Sequence, residues 1–473
     1  MLIAQINKRE FLKALNGVVS ENTQFDRTII LSFFPSFLNY GEIRINDAIV
    51  EGIVEIKRNY IFYYKQLKMV VESIDNFSIN IEERDGDVFI DGTMVHIHSK
   101  REEPFVIDDD LLFTILDECS SVFLYEPYRS RKHIPLGLGK IATYLKKKNK
   151  KAIFSREYIE GNYDLLCIES IFTYNAARVF DFIDSFMSKH PYSLILLGGT
   201  FPTLMSKFIT EKYPRIIIFK GYSKRLDLYN PDYSIDWGIN DLWKGYSQFF
   251  ISRGCPNSCP YCAVSRLENM PWINKMWKNQ IVPENDGVIL LDNNITAFPL
   301  ELFSEFCDYI LEKKIRSVEL NSGFDCKYVS KDLVDLVCKL PIIKRGIRLA
   351  FDRMEDDGIF QKAVQMFLDV GISKYSIQAY VLFNFTDTVS QAEYRASECR
   401  KLGIRVYPQM FVPLNHLSRR DPYVGKYWTL NLARAWNFFY SHELYLQMSF
   451  EEYMRGRAKK YTFSQADFDA WYF

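Results

Sequence analysis

The sequence predicts an α/β protein: a Rossmann-like, doubly wound parallel sheet, followed by six further strand–helix units and preceded by a small strand-rich domain. From about residue 116 to about residue 415, short apolar runs alternate with amphipathic helical segments. That alternation is typical of parallel sheets covered by helices. Before residue 116, runs of alternating polarity are separated by turn dipeptides such as Asp85-Gly86, as in antiparallel hairpins.

Four parts are expected along the chain. Residues 1–115 form a small mixed, strand-rich domain to which the sequence assigns no function, and residues 116–235 form the doubly wound sheet. Residues 236–415 hold the six strand–helix units, and residues 416–473 form a helical extension with an aromatic end. A chain of 473 residues is long enough for two or three domains.

Composition excludes several classes of partner. The 59 basic and 59 acidic side chains cancel, which argues against nucleic acid as a partner. We find neither a signal peptide nor an apolar stretch of membrane-spanning length, so we expect no membrane partner. Nine cysteines in a chain of this length do not form a disulfide scaffold. We therefore expect a cytoplasmic protein in a reducing compartment.

The first parallel sheet is predicted from five apolar runs, at residues 122–125, 152–154, 165–168, 194–197 and 216–219. A helix is expected to start near Pro135. Ligands of such sheets bind beyond the carboxyl ends of the strands. The segment Gly198-Gly199-Thr200 follows one of these strands, and its missing side chains would let a ligand approach the backbone.

The six later units begin with strands at residues 249–252, 288–291, 317–320, 347–351, 375–382 and 405–412. Helical patterns over residues 300–313, 331–340, 358–370 and 389–402 lie between them. In repeated strand–helix folds of this kind, chemistry gathers at the carboxyl ends of the strands.

Three closely spaced cysteines, Cys255, Cys259 and Cys262, follow the first of these strands with the spacing C-x3-C-x2-C. Three thiolates on one loop can bind three irons of a cubane cluster and leave the fourth iron open to a small molecule. A zinc site usually has two cysteine pairs, and no second pair exists here. A chance cluster, or a zinc loop completed by a distant ligand, remains the alternative.

This loop, with Tyr261 before the last cysteine, resembles the cluster loop of radical S-adenosylmethionine (SAM) enzymes. The resemblance implies that the three cysteines bind a [4Fe–4S] cluster and that SAM chelates its open iron. It also implies reductive cleavage of SAM to methionine and a 5′-deoxyadenosyl radical, with an electron donor such as flavodoxin or ferredoxin. The six strand–helix units then fit the partial (β/α)6 barrel of that family.

The cofactor contacts beyond the cysteines are less well marked. Tyr261 belongs to the loop motif, and polar residues stand where apolar barrel residues are expected. The glycine-rich stretch after the second strand of the family is replaced by residues 291–294, and the strand-five motif is weak. No catalytic residue is assigned. The residues expected to hold SAM or substrate are Asp292, Asn321, Ser322, Asp325 and Arg348.

Residues 116–235 resemble the cobalamin-binding domain that precedes the barrel in one branch of the family. The resemblance rests on the helix start at residues 135–138, on residues 169–174 and on the glycine turn. The cobalt-ligating motif D-x-H-x-x-G is absent: Arg131 stands in the aspartate position, and His133 is expected to be a surface-loop histidine. The residues that the resemblance places against cobalamin are Ser170, Thr173, Gly198, Gly199 and Thr200.

Three hypotheses about the function remain open. The first is a radical SAM enzyme that performs cobalamin-dependent methylation, or another radical modification, of an unactivated carbon. The second is a cobalamin-independent radical SAM enzyme whose front domain is vestigial or binds substrate. The third is a metal-stabilised binding module, which would need a fourth cluster ligand. The methylthiotransferase branch fits less well, because residues 116–235 contain only Cys119 and Cys167. The substrate stays open among peptides, nucleotides, lipids and small natural products.

Overall fold

The computed structural model describes residues 2–457 apart from several short segments. It contains mixed α/β architecture, as predicted, including a six-stranded parallel sheet. Within the described ranges, every helix is too short or too polar to cross a lipid bilayer. The segments left out before residue 457 are residues 19–27, 36–39, 46–47, 55–57, 64–70, 73–77, 85–86, 92, 96, 101–104, 129, 131, 191–192, 214–215, 269 and 419–422.

The first part of the chain forms a nine-stranded antiparallel sheet with strand order β8-β7-β6-β1-β4-β3-β2-β5-β9. Helix α1 (Lys8–Val18) accompanies it. The predicted hairpin is confirmed, because β6 pairs with β7 in antiparallel register. The strands are β1 (Leu2–Asn7), β2 (Thr28–Pro35), β3 (Tyr40–Ile45), β4 (Ala48–Val54), β5 (Arg58–Tyr63), β6 (Ser78–Arg84), β7 (Asp87–Ile90), β8 (Thr93–Val95) and β9 (Ile97–Lys100).

The second sheet has six parallel strands in the order β10-β15-β14-β13-β11-β12. Its first strand precedes residue 116, so the sheet starts earlier in the chain than the sequence indicated. The strands are β10 (Phe105–Ile107), β11 (Ser121–Tyr125), β12 (Lys151–Phe154), β13 (Leu165–Glu169), β14 (Leu194–Gly198) and β15 (Ile217–Phe219). The helices are α2 (Asp109–Glu118), α3 (Leu136–Lys147), α4 (Ala176–Lys189), α5 (Thr200–Leu204) and α6 (Ser206–Lys212).

Burial on both faces explains why these strands are continuous apolar runs rather than alternating ones. In β13, Leu165 and Cys167 pack into one hydrophobic cluster with helices α2 and α3. Leu166 and Ile168 point to the opposite face and pack with helix α4. The carboxyl ends of the strands are therefore left as the edge where a ligand could bind.

The third part contains two three-stranded parallel sheets, with strand orders β16-β19-β20 and β21-β22-β23. An isolated parallel bridge between Phe324 and Leu349 joins the two sheets. The strands are β16 (Tyr246–Phe249), β19 (Gly287–Leu290), β20 (Ser317–Leu320), β21 (Ile347–Ala350), β22 (Ile377–Phe383) and β23 (Arg405–Met410). Between β16 and β19 lie the ribbon strands β17 (Ser252–Arg253) and β18 (Trp272–Ile273), and helix α7 (Val264–Leu267) stands between these two strands in the chain.

Helices follow these strands as the sequence indicates, within a few residues of the expected ends. Their apolar sides cover one face of the six strands and form the largest hydrophobic cluster. The predicted helix over residues 430–445 ends at Ser441, and the expected aromatic end at residues 461–473 lies outside the described residues. The helices are α8 (Leu300–Glu312), α9 (Lys331–Val337), α10 (Ile359–Asp369), α11 (Val389–Lys401), α12 (Leu430–Ser441) and α13 (Phe450–Arg457).

Arg395 on helix α11 holds the ends of β21 and β22 together. Its buried guanidinium donates to the carbonyl oxygens of Phe351, Asp352 and Leu382 and to the carboxylate of Asp387. We expect Arg395→Met to lower the free energy of unfolding by about 3–5 kcal/mol, because a buried carboxylate and buried carbonyls lose their donor. Urea titration followed by tryptophan fluorescence measures the change.

Arg400→Met on the same helix is the matched control. Arg400 lies 3.9 Å from the Glu393 carboxylate, and a third of its side chain is exposed. Its loss should cost under about 1 kcal/mol. Equal losses for the two variants would contradict the proposed importance of the buried guanidinium.

Candidate functional site

The loop that carries the three cysteines is closed at its base by a short antiparallel ribbon. Ser252 pairs with Ile273, and Arg253 pairs with Trp272. Gly254 has φ +88°, and a Cβ there would lie 3.2 Å from the Glu268 carbonyl oxygen, so a side chain would be strained. Within the loop, the amide of Cys262 donates to the carbonyl of Cys259 at 3.0 Å. All three thiols are free and half-buried.

Side chains from three successive strand ends contact this loop. The contacts come from the segments that follow β19, β20 and β21, so the cysteines lie over the carboxyl ends of parallel strands. The contacts are Asn294 Nδ2 to Cys255 Sγ at 3.4 Å, Asn257 Nδ2 to Asp325 Oδ2 at 2.6 Å, and Tyr261 Oη to Asp352 Oδ2 at 3.4 Å.

Burial dominates the electrostatics of the loop. It raises the pKa of the Cys262 thiol, and the neighbouring Cys259 and Cys255 raise that pKa further, against a hydrogen bond from the Val264 amide. Burial also raises the pKa of Asp352 to about 6. Three ionised thiols here would repel one another, and bound cations would relieve that repulsion, so metal binding would release protons.

The spacing of the thiols bears on which metal group could bind. Across the part of the chain that the structure describes, no three His, Cys, Asp or Glu side chains are grouped closely enough to hold one metal ion. In a cubane each thiolate binds a different iron, so its sulfurs stand further apart than the ligands of a single ion. Three cysteine thiols on one loop are ligands of the type that such a cluster requires.

Asp292, expected to contact SAM, is instead buried and used by the protein. Its Oδ1 accepts from the Ile251 amide at 2.7 Å, and its Oδ2 accepts from the Ser252 amide at 2.6 Å and from the Ser252 hydroxyl. Only 2% of Asp292 is exposed, and burial raises its pKa to about 7. Asp292 holds the segment that leads into the cysteine loop, because both of its carboxylate oxygens accept hydrogen bonds from residues 251 and 252.

Arg348 is likewise engaged inside the sheet rather than at an open edge. Its guanidinium contacts the carboxylate of Glu319 at 2.9 Å and the carbonyl of Leu320 at 2.8 Å. Lys132, from the loop before helix α3, forms a salt bridge with the same carboxylate and donates to Asn321 Oδ1 at 2.9 Å. Arg348 therefore compensates a buried charge, and its expected contact with SAM stays a prediction.

A cavity of about 590 Å³ lies between the two parallel-sheet regions. One wall is formed by the carboxyl ends of β11, β13 and β14 and by the start of helix α3. The other wall is formed by Phe250, Arg253, Leu291 and Asn293, with Asn321 and Ser322 at the ends of the later strands. Its volume lies within the range of about 300–1,000 Å³ that is usual for small-molecule sites.

The glycine turn contributes to this cavity, but its two glycines differ. A Cβ on Gly198 would meet no atom within 4 Å, whereas a Cβ on Gly199 would lie 2.7 Å from the Ser170 carbonyl oxygen. Gly199 also has φ +102°. Gly199 is therefore required by the fold itself, a role that the sequence did not indicate. Gly198 and Thr200 line the cavity.

Two of the three hydroxyl residues of the expected cobalamin set, Ser170 and Thr173, do not line the cavity. Ser170 is 1% exposed, and its buried Oγ has no hydrogen-bond partner among the described residues. The Thr173 hydroxyl donates to the carbonyl of His416 at 2.5 Å. Of the five expected contacts, the structure brings together Gly198, Gly199 and Thr200.

His133 lines the cavity and is not the surface-loop histidine that the sequence suggested. Its Nδ1 is buried without a hydrogen-bond partner among the described residues. Burial and the neighbouring Lys132 lower the pKa of His133 to about 4, so the imidazole is neutral near pH 7. This buried ring nitrogen could not be predicted, because His133 stands in a segment of mixed polarity.

A buried ion network joins helix α3 to the cysteine loop. Asp227 accepts from Lys140 at 2.6 Å and from Arg253 at 2.8 and 3.0 Å. Arg253 also contacts Glu268 at 2.9 Å, and Glu268 accepts from the Asn293 side chain at 2.5 Å. Sequence reasoning missed this network. One signal was available: Lys140 stands among the apolar residues of an amphipathic helix.

Comparisons with protein-family models and with curated proteins found no match to this chain. The functional interpretation therefore depends on the residues of the site and on the motif that they form.

Removing the Asp292 carboxylate should free the strand that leads into the cysteine loop. We expect Asp292→Ala to accelerate hydrogen exchange of the Ile251 and Ser252 amides by at least about tenfold, because both lose a charged acceptor. Exchange measured by mass spectrometry tests this. Asp286→Ala is the control: its exposed carboxylate contacts only Arg316, at 3.2 Å, among the described residues. Unchanged exchange in Asp292→Ala would contradict the assignment.

Proposed function

We propose that this chain is a radical SAM enzyme in which Cys255, Cys259 and Cys262 bind a [4Fe–4S] cluster. The observation that carries the proposal is the position of the three thiols. They lie over the carboxyl ends of parallel strands, and polar side chains after β19, β20 and β21 hold their loop. A structural metal loop would not need to lie over strand ends beside a cavity.

The six parallel strands from β16 to β23 are proposed to form a partial (β/α)6 barrel. The bridge between Phe324 and Leu349 supports continuity of the two sheets. Gln248, Glu319, Arg348 and Gln378 are buried on the strand face opposite the helix-covered core. A polar inner face is suited to a barrel that holds ligands at its mouth rather than to one filled with apolar side chains.

When bound, the cluster would supply the electron that cleaves SAM. The chain would orient the reactants: Asn321 and Ser322 line the cavity and would contact the polar part of SAM. Lys132 donates a hydrogen bond to Asn321 Oδ1, which leaves the side-chain amide nitrogen of Asn321 as the atom that could donate to SAM. Apolar cavity walls, including Phe250 and Leu291, would keep water from the reacting atoms.

Each cysteine of the triad should be required for the cluster. We expect Cys255→Ala, Cys259→Ala and Cys262→Ala each to abolish four-iron loading and SAM cleavage, because three thiolates are the minimum that leaves one open iron. Iron and sulfide analysis after anaerobic reconstitution measures loading. Full iron content in any one variant would refute the cluster assignment.

The matched control is Cys338→Ala, because Cys338 is exposed and lies away from the loop in sequence. Its iron content should equal that of the unmodified protein. The buried thiols Cys307, Cys326 and Cys399 are expected to be dispensable for iron as well.

Reduced protein should cleave SAM slowly even without substrate. We expect dithionite-reduced, cluster-loaded protein to release methionine and 5′-deoxyadenosine, measured by liquid chromatography. Asn321→Ala and Ser322→Ala should weaken SAM binding about tenfold while sparing the cluster, because each removes a polar contact. Unchanged SAM affinity in both variants would rule out this part of the cavity as the SAM site.

For the cavity between the two parallel-sheet regions, the proposed ligand is a corrinoid that would carry a methyl group to an unactivated carbon when bound. The residues fit such a group in three respects: the wall is mostly apolar, Gly198 leaves an open edge, and Glu126 and Glu169 supply acceptors. The alternative is a cobalamin-independent radical SAM enzyme that binds its substrate in this cavity.

A pair of glycine variants separates ligand contact from fold. Gly198→Leu should abolish hydroxocobalamin binding in equilibrium dialysis without loss of folding, because its side chain would enter open space. Gly199→Ala should lower the unfolding midpoint, because its Cβ would clash with the Ser170 carbonyl. Absence of hydroxocobalamin binding by the unmodified, cluster-loaded protein would favour the alternative function.

A further inference from the structure

Two segments of the chain, residues 220–228 and 264–278, lie side by side at the base of the cysteine loop. The first follows strand β15, and the second contains helix α7 and strand β18. Three contacts join the two segments. A Cβ on Gly221 would lie 2.7 Å from the Leu267 carbonyl oxygen, the rings of Tyr222 and Trp272 lie 6.0 Å apart, and the Asn274 side chain donates to the Asp227 carbonyl at 3.0 Å.

The outer side of these segments carries an excess of positive charge. Lys220, Lys224, Arg266 and Lys275 are exposed, and none of the four forms an ion pair with another described residue. The carboxylates of the adjoining helices do not cancel this charge. Asp110 is paired with Arg225, Glu305 is paired with Lys278, and Asp109 accepts from the Arg225 amide.

Three large apolar side chains lie exposed on the same segments. Leu228 is 47% exposed, Met270 is 68% exposed and Met276 is 50% exposed. Methionine adapts its shape to a contacting surface, which suits a binding site that forms and separates repeatedly. We call these three residues and the four cations the basic face.

The basic face lies directly against the backbone that leads into the cysteine triad. A Cβ on Gly254 would lie 3.3 Å from the Met270 carbonyl oxygen and 3.2 Å from the Pro271 Cα. Gly254 is the residue before Cys255. A molecule seated on Met270 would therefore be separated from the backbone of the cysteine loop by a single layer of chain.

We propose that the basic face docks a small acidic redox protein, which delivers electrons to the group held by the three cysteines; this purpose rests on the proposed function. In each transfer the reduced partner loses one electron and that group gains it, and no bond is made or broken in this chain. Complexes of this kind bury little surface and are steered by complementary charge. A nucleic acid is less well suited, because the described part of the face has no exposed aromatic side chain for base stacking.

The first experiment measures binding without turnover. Oxidised flavodoxin of net negative charge is titrated into the cluster-loaded full chain by isothermal calorimetry at low salt. We expect the triple variant Lys224→Glu, Arg266→Glu, Lys275→Glu to bind at least about tenfold more weakly, because three attractions become repulsions. Binding by the unmodified protein should also weaken as sodium chloride rises from about 50 to about 300 mM.

The matched control is Lys314→Glu, Lys339→Glu, Lys344→Glu, which makes the same change of net charge. These exposed lysines lie in turns before β20 and β21, at the strand ends opposite the cysteine loop. The control should bind flavodoxin as tightly as the unmodified protein. Equal weakening in both triple variants, or no flavodoxin binding by the unmodified protein, would overturn the proposal. Loss of binding to a single-stranded RNA oligonucleotide, with flavodoxin binding retained, would overturn it in favour of nucleic acid.

The second experiment compares two reductants in SAM cleavage. With reduced flavodoxin as the only reductant, the first triple variant should release 5′-deoxyadenosine at least about tenfold more slowly than the unmodified protein, because fewer complexes form. With dithionite, a small molecule that needs no docking surface, the two rates should be equal. Equal rates with flavodoxin, or an equal loss with dithionite, would contradict the inference.

Failure of this inference is distinguishable from failure of the proposed function. If dithionite supports SAM cleavage and charge reversal leaves flavodoxin binding unchanged, the docking inference is wrong and the radical SAM assignment stands. If flavodoxin binds with the expected dependence on charge and SAM is not cleaved with dithionite, the docking inference stands and the radical SAM assignment is wrong.

Discussion

The buried carboxylate of Asp227 is the interaction on which the arrangement of the site depends. It is 2% exposed and lies between Lys140 of helix α3 and Arg253, two residues before Cys255. Any of these three charges would be costly to bury alone, because the protein interior solvates an isolated ion poorly. The pairing is therefore satisfied only when the first parallel sheet and the cysteine loop adopt one relative position.

The same network gives the cavity and the cysteine loop a common wall. Arg253 donates to Glu268, which also accepts from the Asn293 side chain and, at 2.7 Å, from the Gly254 amide. A ligand in the cavity would touch Arg253 and Glu268 directly, since both line it. Displacement of either side chain would disturb the hydrogen bonds that hold Gly254, the residue before Cys255. Contact through packed, charged groups is a physical route by which one site could influence the other.

Spacing and apolar runs sufficed to predict most of the parallel strands and the cysteine loop, because burial on both faces leaves a plain sequence signal in segments such as β13. They missed β10, a strand of three residues. The roles of polar residues were harder to predict. Asp292 follows a strand and Arg348 lies within one, but their partners are backbone amides and a carboxylate that are distant in sequence. A sequence shows that a donor or acceptor is present without showing which group it pairs with. The contact between Gly199 and the Ser170 backbone was hidden in the same way, so this glycine was interpreted as a ligand contact.

Glu319 illustrates how the two parallel-sheet regions also set the charge at the mouth of the later strands. Its carboxylate is fully buried and meets Arg348 from the adjacent sheet and Lys132 from the loop before helix α3. Two cations facing one carboxylate leave an excess of positive charge beside Asn321 and Ser322. Asn321 and Ser322 line the cavity, so this charge lies at one end of it. The charge there is set by residues of both parallel-sheet regions together, because neither region alone supplies Glu319, Arg348 and Lys132.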